Sequence, residues 1–497
     1  MSTPSPSQPA TASIPLSSAA RWRAFWICVS VAAITILDLT KVNVALPSIG
    51  EVLDANSTEL QLVVSGFVLT FGLALVPFGR LGDQRSRRML FVIGLSLYTL
   101  TSIMCALAPN ATILLIARLA QGVAAGIQMP QVLGMAQELF QGKERGRAFG
   151  LFGATIGLAT AFGPTLGGLL IAIGGPEDGW RLTFWMNVPL CLIAIALVLW
   201  MLPATRTRSA RSVRLDPVGL VLFAASVICF MWPFLFTTGA PEDDPARWWL
   251  LVGFVLFTAA FIAWERRYSA KGGTPLVPLP LFGIASYRNG TLLQTAYFTA
   301  MPAMFLTTTL FLQLGLGVEP VYAGMVSIGF ALASAVTSWI GGNLVNRFGR
   351  PIVLWGLIAM LVSAGGLVLT ALFADPLWTP YIMAAVMIVG GAGGGFVIAP
   401  NQTLTLADVP VSQGGVAGSV GQLGQRIGTA VGMAVALSLF YATIYRETGM
   451  HDDLVVYQDA YAYAMISIAV FLGLAFLVSI LDLTDRRRAG RGGRARH

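Results

Sequence analysis

Long runs of apolar residues, separated by short polar segments, dominate the chain from residue 24 to residue 482. A run of about 18 or more apolar residues is typical of a helix that crosses a membrane, because ~20 residues at ~1.5 Å each span the ~30 Å hydrocarbon layer. The pattern therefore predicts an all-α polytopic membrane protein. Fourteen helices are expected at approximately 24–47, 59–80, 89–108, 112–136, 147–173, 181–202, 215–238, 248–265, 288–313, 320–342, 351–373, 377–400, 415–444 and 461–482.

Composition supports this interpretation and excludes several other classes. Hydrophobic residues make up 56% of the 497 residues, and charged residues only 11%, against ~25% in a typical soluble domain. The only histidines, His451 and His497, lie in polar segments, and the four cysteines lie in separate apolar runs. Because a metal site needs clustered ligands, we expect neither a metal nor another cofactor. No nucleophile–base pair or phosphate-binding loop indicates an enzyme.

The positions of the basic residues predict the topology. Of 31 lysines and arginines, 25 fall on the side of the N-terminus, three on the opposite side and three inside spans. The positive-inside rule then places both termini in the cytoplasm, which agrees with an even number of helices. Arginine outnumbers lysine by 28 to three, which is associated with GC-rich bacterial genomes. We expect a bacterial inner membrane as the location. The net charge of +8 thus reflects topology, and we expect no nucleic-acid partner.

Two polar segments at corresponding places indicate an internal repeat. Residues 79–88 follow the second predicted helix, and residues 342–351 follow the tenth at an offset of 263 residues. Both lie on the cytoplasmic side, which predicts two parallel six-helix bundles with substrate bound between them. The predicted divisions are a disordered cytoplasmic tail (1–23), a first bundle (24–202), a linker with two extra helices (203–280), a second bundle (281–482) and a basic tail (483–497).

The motifs of the first half resemble those of one family. Residues 79–88 are similar to the loop motif G-x-L-a-D-r-x-G-r-k, keeping Gly79, Leu81, Asp83 and Arg87 but departing from it with Gly82, Gln84 and Ser86. Further matches are Leu37–Pro47 in the first helix, Arg118–Gly122 in the fourth, Gly153–Gly168 in the fifth, and Trp180-Arg181 with Asn187-Val188-Pro189 near the sixth. The chain thus resembles the major facilitator superfamily, and within it the fourteen-helix drug:proton antiporters.

The loop motif is expected to act as a cytoplasmic gate. Asp83 can accept hydrogen bonds from Arg87 or from helix N-terminal amides, latching the two halves together. With Gly79 and Arg350, the counterpart of Arg87 in the second half, these residues form the predicted gate. The alternative is a solvated basic loop that only sets topology.

The fifth helix has small residues at helical spacing. Gly153 and Gly157, and again Gly163 and Gly167, allow close helix contact, and Pro164 removes a backbone hydrogen bond and permits a bend. The resemblance associates this segment with antiporters. The alternative is close packing without any role in coupling.

Intramembrane charges are costly and indicate function. Asp38 lies ~13 Å and Arg118 ~12 Å from the outer end of their helices, so we expect them to face each other. The hypothesis is that Asp38 binds the coupling proton and Arg118 tunes its affinity; the alternative is a static ion pair. Lys41, three residues after Asp38, departs from the family pattern. It either pairs with Asp38 or touches substrate, or its side chain snorkels to the headgroups.

A third intramembrane cation, Arg426, lies in a helix that the resemblance places at the substrate cavity. It either contacts substrate or holds its helix to its neighbours. The other polar candidates for the cavity are Asn43, Gln121, Gln128, Asn401, Gln422 and Gln425. One acid against three bases leaves neutral, zwitterionic and anionic substrates open.

The function predicted from the resemblance is proton-coupled antiport that exports lipophilic or amphipathic small molecules, of the multidrug efflux type, by alternating access. An exporter of an endogenous metabolite or lipid is the alternative, followed by an uncoupled facilitator and by a non-transporting sensor. The expected partners are a small-molecule substrate, protons and the lipid bilayer, and we expect a monomer.

Overall fold

The computed structural model describes residues 17–202, 216–236, 243–450 and 452–494. Within these ranges, fourteen helices are long and apolar enough to cross a membrane, which confirms the predicted number. They are numbered α1 to α14 in chain order: Ser18–Leu53, Glu59–Gln84, Arg87–Ala106, Ala111–Leu139, Gly142–Gly175, Glu177–Met201, Pro217–Leu235, Pro245–Ala270, Ala285–Gly315, Val321–Phe348, Pro351–Phe373, Thr379–Thr405, Val411–Glu447 and Asp453–Thr484. Residues 203–215 of the predicted linker, most of the predicted N-terminal tail and residues 495–497 lie outside the described residues.

The predicted boundary of the N-terminal tail is wrong by six residues. Helix α1 begins at Ser18, where the side chain of Ser17 caps it. Arg21 forms an ion pair with Glu144 of α5 at 2.9 Å. Residues 18–23 therefore pack as the first turns of α1, because their own cap and a contact with α5 hold them helical.

Helix packing repeats between the two halves of the chain. In the first half, α1 packs on α5 and α6, α2 on α4, and α3 on α4 and α6. The second half repeats this arrangement with α9 on α13 and α14, α10 on α12, and α11 on α12 and α14. One apolar core lies wholly within the second half, and another fills the first half and extends into α7, α8 and α13. The fold is two parallel six-helix bundles, as the sequence repeat predicts.

The two extra helices form a hairpin between the halves in chain order. The hydroxyl groups of Ser226 in α7 and Thr258 in α8 lie 2.7 Å apart. At the other end, Asp216 caps α7 by accepting the N–H of Gly219 and also accepts the indole N–H of Trp264 at 2.7 Å. Helix α7 packs against both α2 and α13, so the inserted pair touches both bundles.

The two bundles approach most closely at one end of the molecule. Helix α5 faces α10, and a Cβ atom placed on Gly146, Gly150, Gly153 or Gly157 would lie 2.5, 2.8, 3.3 or 3.9 Å, respectively, from the nearest atom of the opposite bundle. The end at which residues 79–88 and 342–351 lie is therefore called the closed end. At Gly146 and Gly150 only glycine permits this approach of backbones, since a side chain would occupy the space of the opposing helix.

Candidate functional site

Asp38 lies on α1 inside the first bundle and is fully buried. Its Oδ2 accepts a hydrogen bond from Nη1 of Arg118 on α4 at 2.7 Å. Its Oδ1 accepts the amide N–H of Asn187 on α6, also at 2.7 Å. Because charge-assisted hydrogen bonds are strong in a low-dielectric interior, Asp38 holds three helices together. The two charges predicted to face each other are in direct contact.

Lys41 lies one turn further along α1 and is also fully buried. Its Nζ donates to Oδ1 of Asn187 at 2.6 Å and lies 3.4 Å from Oδ1 of Asp38. Of the alternatives that the sequence leaves open, snorkelling is wrong, because the ammonium points into the bundle and not towards a headgroup layer. Asn187 joins the two charges by donating to one and accepting from the other.

The network continues from Arg118 to α3. Nη1 of Arg118 also donates to Oε1 of Gln121 at 2.7 Å, and Nε2 of Gln121 donates to the hydroxyl of Ser102 at 2.8 Å. The guanidinium stacks 4.2 Å from the ring centre of Phe67. These residues with Asp38, Lys41 and Asn187 are the charge cluster. When all three ionisable groups are charged its net charge is +1, so protonation of Asp38 would leave two buried cations without an anion.

Helix α5 packs against α1 beside the charge cluster. A Cβ on Gly163 would collide with the side chain of Thr40, and one on Gly167 would lie 2.8 Å from the backbone oxygen of Lys41. The helix stays regular through Pro164 and leaves helical geometry only at Gly175, where φ is 77°. The two predicted glycine pairs thus have different partners: one pair faces the opposite bundle and the other faces α1.

A latch of hydrogen bonds joins the bundles at the closed end. Asp83 of α2 accepts from Arg87 at 2.7 Å and from the backbone N–H groups of Gly415 and Val416 at 2.9 and 2.8 Å. These amides belong to the first α-helical turn of α13, which begins at Gly414 after a short 3-10 segment, and there the helix dipole also favours a carboxylate. Nearby, Gly79 packs directly against the backbone of α13. Both kinds of partner that the sequence predicts for Asp83 are therefore used together.

Arg350 lies elsewhere than the predicted gate suggests. It is 2% exposed and contacts Asn401 of α12 and Asp482 of α14. Since all of these residues belong to the second bundle, these contacts of Arg350 clamp that bundle internally. The reason is local: its repeat partner Arg87 has Asp83 one turn away, whereas Arg350 has Asn346 and finds its carboxylate on α14.

Four of the predicted cavity residues lie away from the interface between the bundles or at its edge. Gln121 belongs to the charge cluster, and Gln128 donates to Thr35 of α1 at 2.8 Å inside the first bundle. Asn401 lies beside Arg350, and its amide donates to the backbone of α9. Asn43 is exposed, about 140° around α1 from Asp38 at ~100° per residue.

The remaining three predicted cavity residues lie on α13. Gln422 and Gln425 are buried, and Arg426 is half-buried. The guanidinium of Arg426 lies 4.8 Å from the ring centre of Phe71 on α2, so this contact crosses between the bundles. Among the described residues, no group of three or more His, Cys, Asp or Glu side chains is placed to hold a metal ion.

Comparison with known proteins decides the family. Residues 28–433 match the model of the Major Facilitator Superfamily. The chain belongs to this superfamily. Its relatives include a "Probable actinorhodin transporter" of Streptomyces coelicolor, 30% identical over 88% of this chain and 76% of that protein. The "Puromycin resistance protein pur8" of Streptomyces alboniger is 30% identical over 95% of this chain and 94% of that protein.

A solved superfamily structure has the same fold. The proton:xylose symporter XylE aligns with a TM-score of 0.62 over 94% of this chain and 96% of that one, at 15% identity. In the present protein, the sequence did not lead us to predict Asn187 and Ser102 as parts of the charge cluster. The signal in the sequence was that Asn187 lies within an apolar run. An asparagine side chain buried in a membrane must form hydrogen bonds inside the protein.

Proposed function

We propose that this protein is a proton-coupled antiporter that exports lipophilic or amphipathic small molecules by alternating access. The observation that carries the proposal is the environment of Asp38. In the fourteen spans of the described residues, no other acidic residue lies more than about two turns from the end of its span. A carboxylate held so deep between two cations and an amide suits a group that binds and releases a proton.

Proton binding at Asp38 changes the charge cluster. The carboxylate gains a proton on one oxygen and can no longer accept from both Arg118 and Asn187. Lys41 and Arg118 then lose their anion, and leaving buried cations unpaired costs about 3–5 kcal/mol. The two cations therefore favour the deprotonated carboxylate, and a proton bound at Asp38 favours a rearranged α1.

Helix α5 is positioned to transmit that rearrangement. At one place it contacts the backbone of Lys41 through Gly167, and further along it contacts the opposite bundle through Gly146 and Gly150. A movement of α1 against α5 would thus reach the closed end, where the Asp83 latch holds the bundles together. Release of the latch and closure of the other end constitute the alternating-access step.

The topology supports a direction of transport, and the related proteins support a class of substrate. With the basic loops in the cytoplasm, the closed end faces inwards. Relatives named for transport of actinorhodin and resistance to puromycin support export of small molecules. A bacterial inner membrane with both termini inside fits the same topology.

The proposal is tested by separating uphill transport from exchange in proteoliposomes. An Asp38→Asn variant keeps the shape of the side chain but carries no titratable carboxyl group. We expect it to lose pH-gradient-driven substrate accumulation while substrate-for-substrate exchange continues. Glu51→Gln, on the exposed outer part of the same helix, is the matched control. Undiminished gradient-driven accumulation by Asp38→Asn would overturn the proposal.

A further inference from the structure

Arg426 occupies the face of α13 that meets the first bundle. Gly415 and Ser419, eleven and seven residues earlier on α13, touch α2 at the closed end. At 1.5 Å per residue Arg426 is ~16 Å along α13 from Gly415, close to the middle of the membrane. Its contact there is the ring of Phe71.

The polar atoms of this site lack protein partners. Arg426 forms no ion pair with any residue that the structure describes, and its buried Nε has no hydrogen-bond acceptor. One turn earlier, the buried Oε1 of Gln422 has no donor. Buried polar groups are nearly always hydrogen-bonded. The guanidinium of Arg426 and the side-chain oxygen of Gln422, one helical turn apart, therefore indicate a place where a polar group of a ligand binds.

The charges in this part of the membrane disfavour a cationic ligand. Arg426 is permanently protonated. The acid nearest the middle of a described helix, Asp38, lies inside the first bundle, where both of its oxygens already contact Arg118, Lys41 or Asn187. A cation entering between the bundles would meet an unneutralised positive charge, whereas an anion would neutralise it.

We propose that the exported substrate is an amphipathic aromatic compound with a carboxylate or similar acidic group, which binds the guanidinium of Arg426. The aromatic body packs beside Phe71, and the carbonyl oxygen of the Gln422 side chain accepts a hydroxyl or amine hydrogen of the same molecule. This inference rests on the proposed export function, because it names the substrate class of that transporter.

Three anthracene probes of the same shape test the charge preference: 9-anthracenecarboxylate, 9-(hydroxymethyl)anthracene and 9-(aminomethyl)anthracene. Their binding to the purified full-length protein is followed by fluorescence. We expect the wild type to bind the carboxylate at least ~10-fold more tightly than the ammonium probe, since a charge-assisted pair has about this strength. Arg426→Gln should lose that preference while its affinity for the neutral probe stays the same. Arg446→Gln, at an exposed position of the same helix, is the control.

The outcomes separate this inference from the proposed function. Equal or tighter binding of the ammonium probe, or an equal loss for all three probes in Arg426→Gln, would overturn the inference. Transport of the carboxylate in proteoliposomes is measured in parallel with and without a pH gradient. Selective binding without gradient-driven transport would support the Arg426 site and contradict antiport. Gradient-driven transport without charge preference would contradict the Arg426 site alone.

Discussion

Asp83 on α2 accepts the backbone N–H of Gly415 on α13, at 2.9 Å, although 332 residues separate them in sequence. The same carboxylate binds Arg87, so one side chain joins the loop motif of the first bundle to a helix start of the second. The closed end of this transporter is therefore held by polar bonds as well as by glycine packing.

Removal of the Asp83 carboxylate should open the closed end. In Asp83→Ala the two α13 amides lose their acceptor, and we expect a loss of about 1.5–3 kcal/mol from the closed arrangement. Spin labels at Arg23 and Arg347, both exposed near this end, should show a longer, broader distance distribution. Glu138→Ala removes an exposed acid that lies 3.9 Å from Arg87 and should leave the distribution unchanged. An unchanged distance in Asp83→Ala would show that the latch does not hold the bundles.

A methyl group at Gly150 should act as a wedge between the bundles. Its Cβ would lie 2.8 Å from the backbone oxygen of Ser338, and backbone cannot move aside as a flexible side chain does. We expect Gly150→Ala to cost about 1–3 kcal/mol, to lengthen the same spin-label distance and to slow transport. Gly168→Ala, on the same helix with open space around it, provides the comparison. Equal transport rates in the two variants would contradict close packing at Gly150 as a requirement.

Lys41 should set the pH range of transport. It lies 3.4 Å from Asp38, and a neighbouring cation opposes protonation of a carboxylate. In Lys41→Met one of the two cations is gone, so Asp38 should bind its proton at higher pH, and the midpoint of pH-dependent transport should move upwards. Lys271→Met, at an exposed position after α8, should keep the wild-type profile. A Lys41→Met profile that matches the wild type would assign Lys41 a structural role only.

Asn187 should be needed by the charge cluster beyond its contribution to stability. Asn187→Ala removes the donor to Asp38 and the acceptor of Lys41, and we expect a loss of about 1–3 kcal/mol in stability together with loss of gradient-driven transport. Thermal unfolding in detergent and transport are measured on the same preparation. Asn343→Ala removes an exposed amide that donates to the backbone of its own helix and should change neither. Full transport by Asn187→Ala would contradict the role given to the cluster.

The fold was predictable because it follows from two features of the sequence itself: the length of each hydrophobic run and the positions of the basic residues. The contact of Asp38 with Arg118 was predictable too, since depth in a helix follows from counting residues. The direction of the Lys41 side chain was not predictable, because the choice between snorkelling and pairing depends on whether a neighbouring helix provides a polar partner. In this protein the partner is the side-chain amide of Asn187, 146 residues away in sequence.

The sequence repeat gave a wrong prediction for Arg350, because the two halves of the chain differ in sequence around it. Arg350 corresponds to Arg87 in sequence, but its carboxylate partner is Asp482, and a helix at the far end of the chain cannot be read from the motif. Polar residues such as Gln121 and Gln128 were assigned to a cavity because polarity in a span indicates function or burial, and the sequence does not show which face of α4 points inwards. The structure places both inside the first bundle.

Proton movement by Asp38 is the central claim, and lumenal pH measures it most directly. Wild-type protein and Asp38→Asn are reconstituted in liposomes with an imposed pH gradient and a pH-sensitive dye inside, and an amphipathic substrate is added. The account predicts a substrate-triggered change of lumenal pH with the wild type and none with Asp38→Asn. Substrate flux without any proton movement in the wild type, or an undiminished pH change in Asp38→Asn, would contradict it.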